Sequence, residues 1–337
     1  MKLTTIVPNW NGANSLPACL ESLSNQTVSA SITVVDNGST DGSLDMLKSK
    51  YPQIEVVELR KNRGFAGGTN AGLKRAIVQG AQYVALLNND AVANKNWLEE
   101  LFGYAKKHPE AGIVTSKILN ADGAQVDSTG EMYTTWGLPY PRGRRESASA
   151  GYSQSESVFG ASGAASLYRV KVLKEIGLFD NDFFAYYEDV DISFRAQLAG
   201  WKVAYQPKAI VYHQIGATSS KVKDFTTYQT MKNLPWLMWK NIPAGLLPMV
   251  LPRFTLAYFI FYLSATGRGQ FWPATKGLLV SLLKWPKKMF QRYKIQKNRK
   301  VSPSYIRSIM IYDLPPNAHK LRSLRSRWWK LIGKAQA

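Results

Sequence analysis

The chain has 337 residues, 45% hydrophobic and 20% charged, which is enough apolar material for one large or two modest domains and too little charge for wholesale disorder. Its single cysteine, Cys19, excludes a disulfide scaffold and reads as a small buried hydrophobe in a helix. The net charge of +20 sits at one end: residues 221–337 hold 22 Lys and Arg against two acids, Asp224 and Asp313, while residues 1–220 are balanced. Such asymmetry points to a polyanionic partner, either an anionic membrane surface or a nucleic acid.

Residues 3–8 (LTTIVP) form a short β-branched run that leads straight into turn residues. With no basic n-region or small-residue cleavage site, this reads as a first strand and not a secretory signal, so a cytoplasmic site is expected. Leu16, Cys19, Leu20 and Leu23 recur at i, i+3, i+4 and i+7, predicting a helix over 15–26. Strands follow at 31–36, 54–59, 83–87 and 111–118, alternating with helices from 41 onward, over 66–79, and around Trp97, Leu98, Leu101 and Phe102, the last capped by Asn94. A helix at 168–176 and a strand at 209–212 complete the first half. Strands alternating with helices of this length give an α/β fold, a mostly parallel sheet with helices on both faces. Ligands of such sheets bind beyond the carboxyl ends of the strands.

Polar clusters stand at those ends. Val7-Pro8-Asn9-Trp10-Asn11-Gly12 makes a turn whose backbone N–H groups face a helix start, a place for a phosphate or a base, or an ordinary βα turn. Asp36 closes an apolar strand, where a carboxylate can accept hydrogen bonds from a base or ribose; helix capping accounts for Asp41 but not for Asp36. Leu86-Leu87-Asn88-Asn89-Asp90 delivers a polar cluster to the end of the fourth strand, and a carboxylate there suits a divalent cation shared with phosphate oxygens. Between them, Asn62-Arg63-Gly64-Phe65-Ala66-Gly67-Gly68-Thr69-Asn70-Ala71-Gly72 has the glycine density that close backbone approach to a ligand requires. It is neither a Walker A loop nor GxGxxG, which argues against a P-loop ATPase and a dinucleotide-dependent dehydrogenase.

Taken in order, TIVPNWNG, VVDNGSTDGS, NRGFAGGTNAG and LLNND resemble the family 2 glycosyltransferases of the GT-A (Rossmann-like) fold, and especially the rhamnosyltransferase-like branch that builds bacterial surface polysaccharides. The resemblance spans about residues 3–220 and implies a nucleotide-sugar donor. Pro8, Asn9 and Asp36 match the base pocket, Asn62, Gly64 and Asn89 extend the donor site, and Asp90 matches the last Asp of the DxD motif that holds the metal and the diphosphate. Asn88 stands where other members have the first Asp, leaving one carboxylate. The segment around Ser162 and Gly163, a tight packing loop by itself, matches one that lies under the acceptor.

Phe183-Phe184-Ala185-Tyr186-Tyr187-Glu188-Asp189-Val190-Asp191 sets three carboxylates directly after an aromatic run. An i,i+4 ion pair accounts for Asp191 and Arg195, and an acidic first helical turn is the bland account of the rest. Glu188 and Asp189 are left beside apolar surface, where desolvation and a like charge raise a carboxylate pKa and improve it as a base. By resemblance they are the ED motif, with Asp189 as general base and Glu188 in support. His213 ends a strand, and the related branch places there a second ligand to the metal, Mg²⁺ or Mn²⁺. The Gln-x-x-Arg-Trp motif of processive synthases does not follow Asp189, so transfer of one or a few sugars is expected.

The organisation expected is a GT-A domain over 1–220 and a basic, mainly helical membrane-associating region over 221–337. Residues 246–263 are apolar but carry Pro248, Pro252 and Arg253 and fall short of about 20 apolar residues, so interfacial attachment is expected and not a span. Residues 322–334, with Trp328 and Trp329, read as a last amphipathic helix. No nucleic-acid fold is recognisable, so no nucleic-acid partner is expected. Together these readings give a metal-dependent inverting enzyme, peripheral or monotopic at the cytoplasmic face, that moves one sugar from a dTDP- or UDP-sugar (rhamnose favoured) to a polyprenyl-diphosphate-linked saccharide. The other reading is a catalytically inactive nucleotide-sugar-binding or scaffolding protein of a polysaccharide assembly complex.

Overall fold

The structure is a computed structural model that describes residues 2–214, 222–316, 318 and 321–323. Strand–helix repeats open the chain: β1 (Leu3–Asn9), α1 (Leu16–Ser24), β2 (Ser31–Asp36), α2 (Ser43–Lys50), β3 (Glu55–Glu58), α3 (Gly64–Val78) and β4 (Tyr83–Leu87). Next come β5 (Ala91–Ala93), α4 (Trp97–Lys107), β6 (Ala111–Asn120) and four short strands, β7 (Val126–Ser128), β8 (Glu131–Tyr133), β9 (Pro139–Pro141) and β10 (Glu156–Val158). The half closes with β11 (Ala165–Arg169), α5 (Val170–Ile176), α6 (Glu188–Leu198) and β12 (Lys202–His213). Helices α7 (Phe225–Asn241), α8 (Leu247–Gly267), α9 (Phe271–Leu283), α10 (Trp285–Lys297) and α11 (Pro303–Ser308) follow.

The main sheet runs β10-β12-β6-β11-β4-β1-β2-β3, with β5 added to β12 and β7 to β6. The β4-β1-β2-β3 block is parallel, as is the β6–β12 pair, while β11 runs antiparallel to both its neighbours. Period-two alternation splits the parallel strands between two apolar layers. Val7, Val34, Ala85 and Leu87 pack with Leu16, Leu20 and Trp97 on one face, and Ile6, Val35, Val84 and Leu86 pack with Ala66, Leu73 and Val172 on the other.

The sequence reading errs at residues 168–176. Residues up to Arg169 are strand, and the helix begins only at Val170. Leu167 and Tyr168 enter opposite apolar layers, and the open hydrogen-bonding edges of β4 and β6 take this segment between them. The cap of α4 is likewise displaced: Asn96 is its N-cap, and Asn94 instead accepts from Trp97 N–H through its carbonyl. Cys19 is buried as expected, with its Sγ 3.4 Å from the Asn88 carbonyl.

A third apolar cluster joins α6 to the C-terminal helices, with Phe183, Val190 and Phe194 packed among Leu234, Trp236, Leu237 and Phe254. The apolar run at 246–263 is part of one uninterrupted helix, since Pro248 falls in its first turn and Pro252 removes a single hydrogen bond near its start. Ala244–Gly267, 24 residues, is long and apolar enough to cross a membrane by length and composition. The last amphipathic helix expected at 322–334 lies outside the described residues apart from 322 and 323.

Candidate active site

The strand ends come together in one polar network. Asn9 and Asp36 are register partners on β1 and β2, and Asn9 Nδ2 lies 3.3 Å from Asp36 Oδ1. Asp36 Oδ2 accepts from the Ser39 N–H at 3.1 Å, so this buried carboxylate shapes the turn after β2. Asn89 Nδ2 donates to Asn9 Oδ1 at 2.7 Å, tying the turn after β4 to the same wall. A Cβ on Gly12 would stand 2.1 Å from that Asn89 nitrogen, so a side chain here breaks the link. Pro8 is half-buried in β1 beside these groups.

Asn62 and Gly64 belong to a second knot. Asn62 Oδ1 accepts from the Gly64 N–H at 2.7 Å and from Asn37 Nδ2 at 3.1 Å, and Asn37 Nδ2 also reaches the Gly64 carbonyl at 3.0 Å. Gly64 has φ +70°, and a Cβ there would sit 2.3 Å from the Phe184 carbonyl. The start of α3 is thus pressed against the aromatic loop that precedes Glu188, and the Ala66 N–H donates to that same carbonyl.

Asp90 and Asp189 share a fastening point. The Asn88 N–H donates to the Ala164 carbonyl, and the Gly163 N–H donates to Asp189 Oδ2 at 2.9 Å. Two adjacent residues of the loop before β11 therefore hold the Asn88–Asp90 turn on one side and Asp189 on the other. Ser162 stands at the same place, its carbonyl accepting from Ser166 Oγ. Asp189 Oδ1 accepts from the Val190 N–H at 2.8 Å.

Burial sets the protonation of this cluster. It raises the Asp189 carboxyl, although the Gly163 and Val190 N–H groups work against the rise. Glu188 is pushed well up by burial and then by the charge of Asp189, and its Oε2 has no hydrogen-bond partner. Glu131 of β8 is raised well above its usual range by burial and again by Asp189. Asp189, held by two N–H donors, is thus the member of this carboxyl group that ionises most readily. Asp191 and Arg195 form the expected i,i+4 pair at 2.9 Å.

His213 closes the other end. Its Nε2 lies 3.2 Å from Asp90 Oδ1 and 3.3 Å from Asn88 Nδ2, and its Nδ1 is 2.9 Å from Asp127 Oδ2. Arg144 in turn pairs with Asp127, and its charge acts on Glu131 and Asp189. Burial disfavours the imidazolium, but hydrogen bonds and charge from Asp127 and Asp90 outweigh it and lift the His213 pKa to about 9. Asp90 Oδ1 is buried with no well-formed hydrogen bond, facing an imidazole nitrogen. As it stands this contact is an ion pair; once the ring proton is lost, Asp90 Oδ1 and His213 Nε2 are a donor pair that fits Mg²⁺ or Mn²⁺. Among the described residues no group of three or more His, Cys, Asp or Glu side chains is gathered as a complete metal centre.

The glycosyl transferase family 2 model matches residues 4–177, which is more than half of the chain. The chain belongs to glycosyl transferase family 2. Its sheet is the GT-A fold. The N-acetylglucosaminyl-diphospho-decaprenol L-rhamnosyltransferase of Mycobacterium tuberculosis is 29% identical over 209 residues, 54% of this chain and 66% of that enzyme. This chain therefore spans just under two thirds of the relative's length. Among solved structures, residues 1–349 of TarS from S. aureus superpose with a TM-score of 0.53 at 19% identity, covering 94% of each chain. The mannosyltransferase PcManGT of Pyrobaculum calidifontis, solved with GDP-Man and Mn²⁺, gives 0.53 at 16% identity over 88% of this chain and 84% of its own. At such identities these two likenesses show the fold.

Several groups in this candidate site escaped sequence reasoning. Asp127 is a lone acid in a three-residue strand and gave no signal, and Glu131 sits in a similar strand. Arg144 lies in a basic turn, Arg142-Gly143-Arg144-Arg145, that could have been noticed. Lys232 and Asn233 of α7 were assigned to the basic region, yet Asn233 Nδ2 donates to the carbonyls of Phe183, Ala185 and Tyr186, at 3.0, 2.9 and 2.9 Å. Lys232 Nζ reaches the Phe183 carbonyl at 3.2 Å.

Proposed function

We propose that this glycosyltransferase moves a single sugar, rhamnose by preference, from a dTDP- or UDP-sugar to a polyprenyl-diphosphate-linked saccharide at the cytoplasmic face of the membrane, with inversion. The observation that carries the reading is the Gly163–Ala164 fastening, which holds the Asn88–Asp90 turn and the Asp189 carboxylate to adjacent residues of one loop. A leaving diphosphate and an attacking hydroxyl need this adjacency. The name of the mycobacterial relative, a rhamnosyltransferase acting on a decaprenol diphosphate sugar, supports the choice of donor and acceptor class.

Pro8, Asn9, Asp36, Asn62, Gly64 and Asn89 line the donor side and orient the nucleotide. Asp90 and His213 would hold a divalent cation, which supplies charge neutralisation for the departing nucleoside diphosphate. Asp127 fixes the His213 ring through Nδ1 and leaves Nε2 turned toward Asp90. Asp189 takes the proton from the acceptor hydroxyl as that oxygen attacks the anomeric carbon, a contribution of about 10²–10⁴-fold. Burial raises Glu188 and Glu131 well above their usual range, which reduces the negative charge beside Asp189. One displacement inverts the anomeric centre.

Membrane attachment rests on a broad apolar surface. Leu256, Phe259 and Leu263 of α8, Trp272, Leu279 and Leu283 of α9 and Phe290 of α10 are all more than half exposed, in a region rich in Lys and Arg. We assign this face to a monotopic contact with an anionic leaflet. The test is transfer of radiolabelled sugar from dTDP-rhamnose and a panel of UDP-sugars to a short polyprenyl diphosphate N-acetylglucosamine, with and without Mg²⁺ or Mn²⁺. Product with a configuration opposite to the donor's supports the reading. Donor binding without transfer to any lipid acceptor refutes it and favours the scaffolding alternative.

A further inference from the structure

A cavity of about 300 Å³ opens between α7, the inner side of α8 and the β8–β9 connection. It lies at the small end of the range of ligand pockets, about 300–1,000 Å³. Its walls divide by chemistry. Leu138, Met231, Leu234 and Phe261 form an apolar floor, while Thr226, Thr227, Thr230 and the Arg268 guanidinium form a polar mouth.

Two features tie the cavity to the reacting groups. Tyr187 lines it, immediately precedes Glu188 and Asp189, and has its Oη 3.5 Å from Thr230 Oγ1 at the cavity's mouth. The connection from β8, which carries Glu131, supplies the wall at Leu138 and Pro139. A third feature ties the cavity to the apolar surface. Along α8 and its C-cap, Phe261, Ser264, Ala265 and Arg268 follow i, i+3, i+4, i+7 spacing and face the cavity, while Leu256, Phe259 and Leu263 occupy the opposite, exposed side. One helix thus separates the proposed lipid-facing surface from a pocket beside the base.

We propose that this cavity binds the isoprenoid-diphosphate portion of the acceptor, with the diphosphate at Arg268 and the threonine hydroxyls and the first isoprene units on the floor. The proposal rests on the lipid-acceptor reading above and gives it a place. An anionic head on an apolar tail matches both halves of the lining, and it leaves the attached saccharide directed past Tyr187 toward Asp189.

The experiment uses full-length protein in detergent and farnesyl diphosphate as probe, with binding followed by calorimetry in the absence of divalent cation. Farnesol and inorganic pyrophosphate serve as the two half-ligands. The Asp90→Ala variant is run in parallel to exclude binding at the donor diphosphate site. Wild type and Asp90→Ala are expected to bind farnesyl diphosphate alike. Arg268→Ala should weaken binding by at least about fivefold, the order of one charge-assisted contact, and leave farnesol binding unchanged. Thr230→Trp, which fills the mouth, should abolish both. Should Thr230→Trp fail to fold, Thr226→Trp at an exposed position of the same rim replaces it.

No binding by wild type, binding indifferent to both Arg268→Ala and the tryptophan plug, or binding lost only in Asp90→Ala overturns the assignment. Binding reads the pocket and the transfer assay above reads the reaction, so the two ideas fail separately. Probe binding through Arg268 in a protein that moves no sugar keeps the pocket and sinks the transferase specificity, whereas normal transfer in plugged variants does the reverse.

Discussion

Removing the Asn233 amide tests how the proposed base is held in place. The loop before Glu188 is strained: Phe184, Tyr186 and Tyr187 have φ of 65°, 70° and 70° without being glycine. Each such residue costs about 1–3 kcal/mol and persists only where its surroundings over-determine it. Asn233, fully buried, is the clamp, since its single amide nitrogen serves three loop carbonyls. In Asn233→Ala, the Phe183 carbonyl keeps Lys232, while those of Ala185 and Tyr186 lose the contact. Two part-buried acceptors left unsatisfied at about 1–3 kcal/mol each put the loss near 2–6 kcal/mol. That is enough to release the strain and shift the start of α6. The expected result is a lower melting temperature and a kcat reduced at least tenfold, the equivalent of about 1.4 kcal/mol, with donor affinity unchanged because the Asn9–Asp36–Asn89 wall is untouched. Asn233→Asp keeps the volume but presents an acceptor to acceptors, so it should be no better than Ala. Stopped transfer assays combined with nucleotide calorimetry separate kcat from donor binding. Unchanged kcat and melting temperature in Asn233→Ala would refute the clamp.

Asp189→Asn should lower transfer by about 10²–10⁴-fold and leave donor binding intact; equal loss of both, by calorimetry, would make the residue structural. Because burial raises the Asp189 carboxyl, the acid limb of the rate–pH profile should fall above the ordinary Asp range, near 3.9, and Asp189→Asn should erase that limb. Asp127→Ala leaves His213 Nδ1 without its acceptor and should raise the metal concentration for half-maximal activity about 10–100-fold, and a metal titration that overlays the wild-type curve counts against His213 as a ligand. Asp180 opposes its burial with Lys240 and Lys288, which hold its carboxyl far below the usual range, and Asp182 is held down alike by hydrogen bonds from Lys284, Lys287 and Lys288. Depressed carboxyls contribute stability that is present above their unfolded pKa, near 3.9, and lost as the pH falls below it. Lys288→Met should therefore cost about 3–5 kcal/mol at neutral pH and flatten the acid unfolding curve, which urea melts at several pH values would reveal.

The half of the molecule built from local pattern was legible in sequence. Strands β1, β2 and β4 announce themselves by apolar runs that end in polar residues, and the site residues at those ends assemble as adjacent groups because the parallel register carries them there. The β11 segment was not legible, because a short run buried on both faces has no period to separate strand from helix. Asp127, Glu131 and Asn233 were illegible for another reason: each acts through tertiary contacts 40 or more residues away along the chain. The basic C-terminal charge was legible in amount, and its direction only in part. Read from sequence, it faces outward to a polyanion. In the fold Lys240 and Lys288 are buried, with Lys240 on Asp180 and Asp191 and Lys288 on Asp180 and Asp182. Those carboxylates lie in or beside the segment that carries Glu188 and Asp189. Part of the charge asymmetry between the two halves is therefore an internal complementarity: acids of the first half are neutralised by lysines of the second. Such buried pairs cannot be separated without leaving uncompensated charge in the interior, which makes α7 and α10 supports of α6 as well as neighbours of the apolar surface. An attachment region replaceable by any other anchor would not need them.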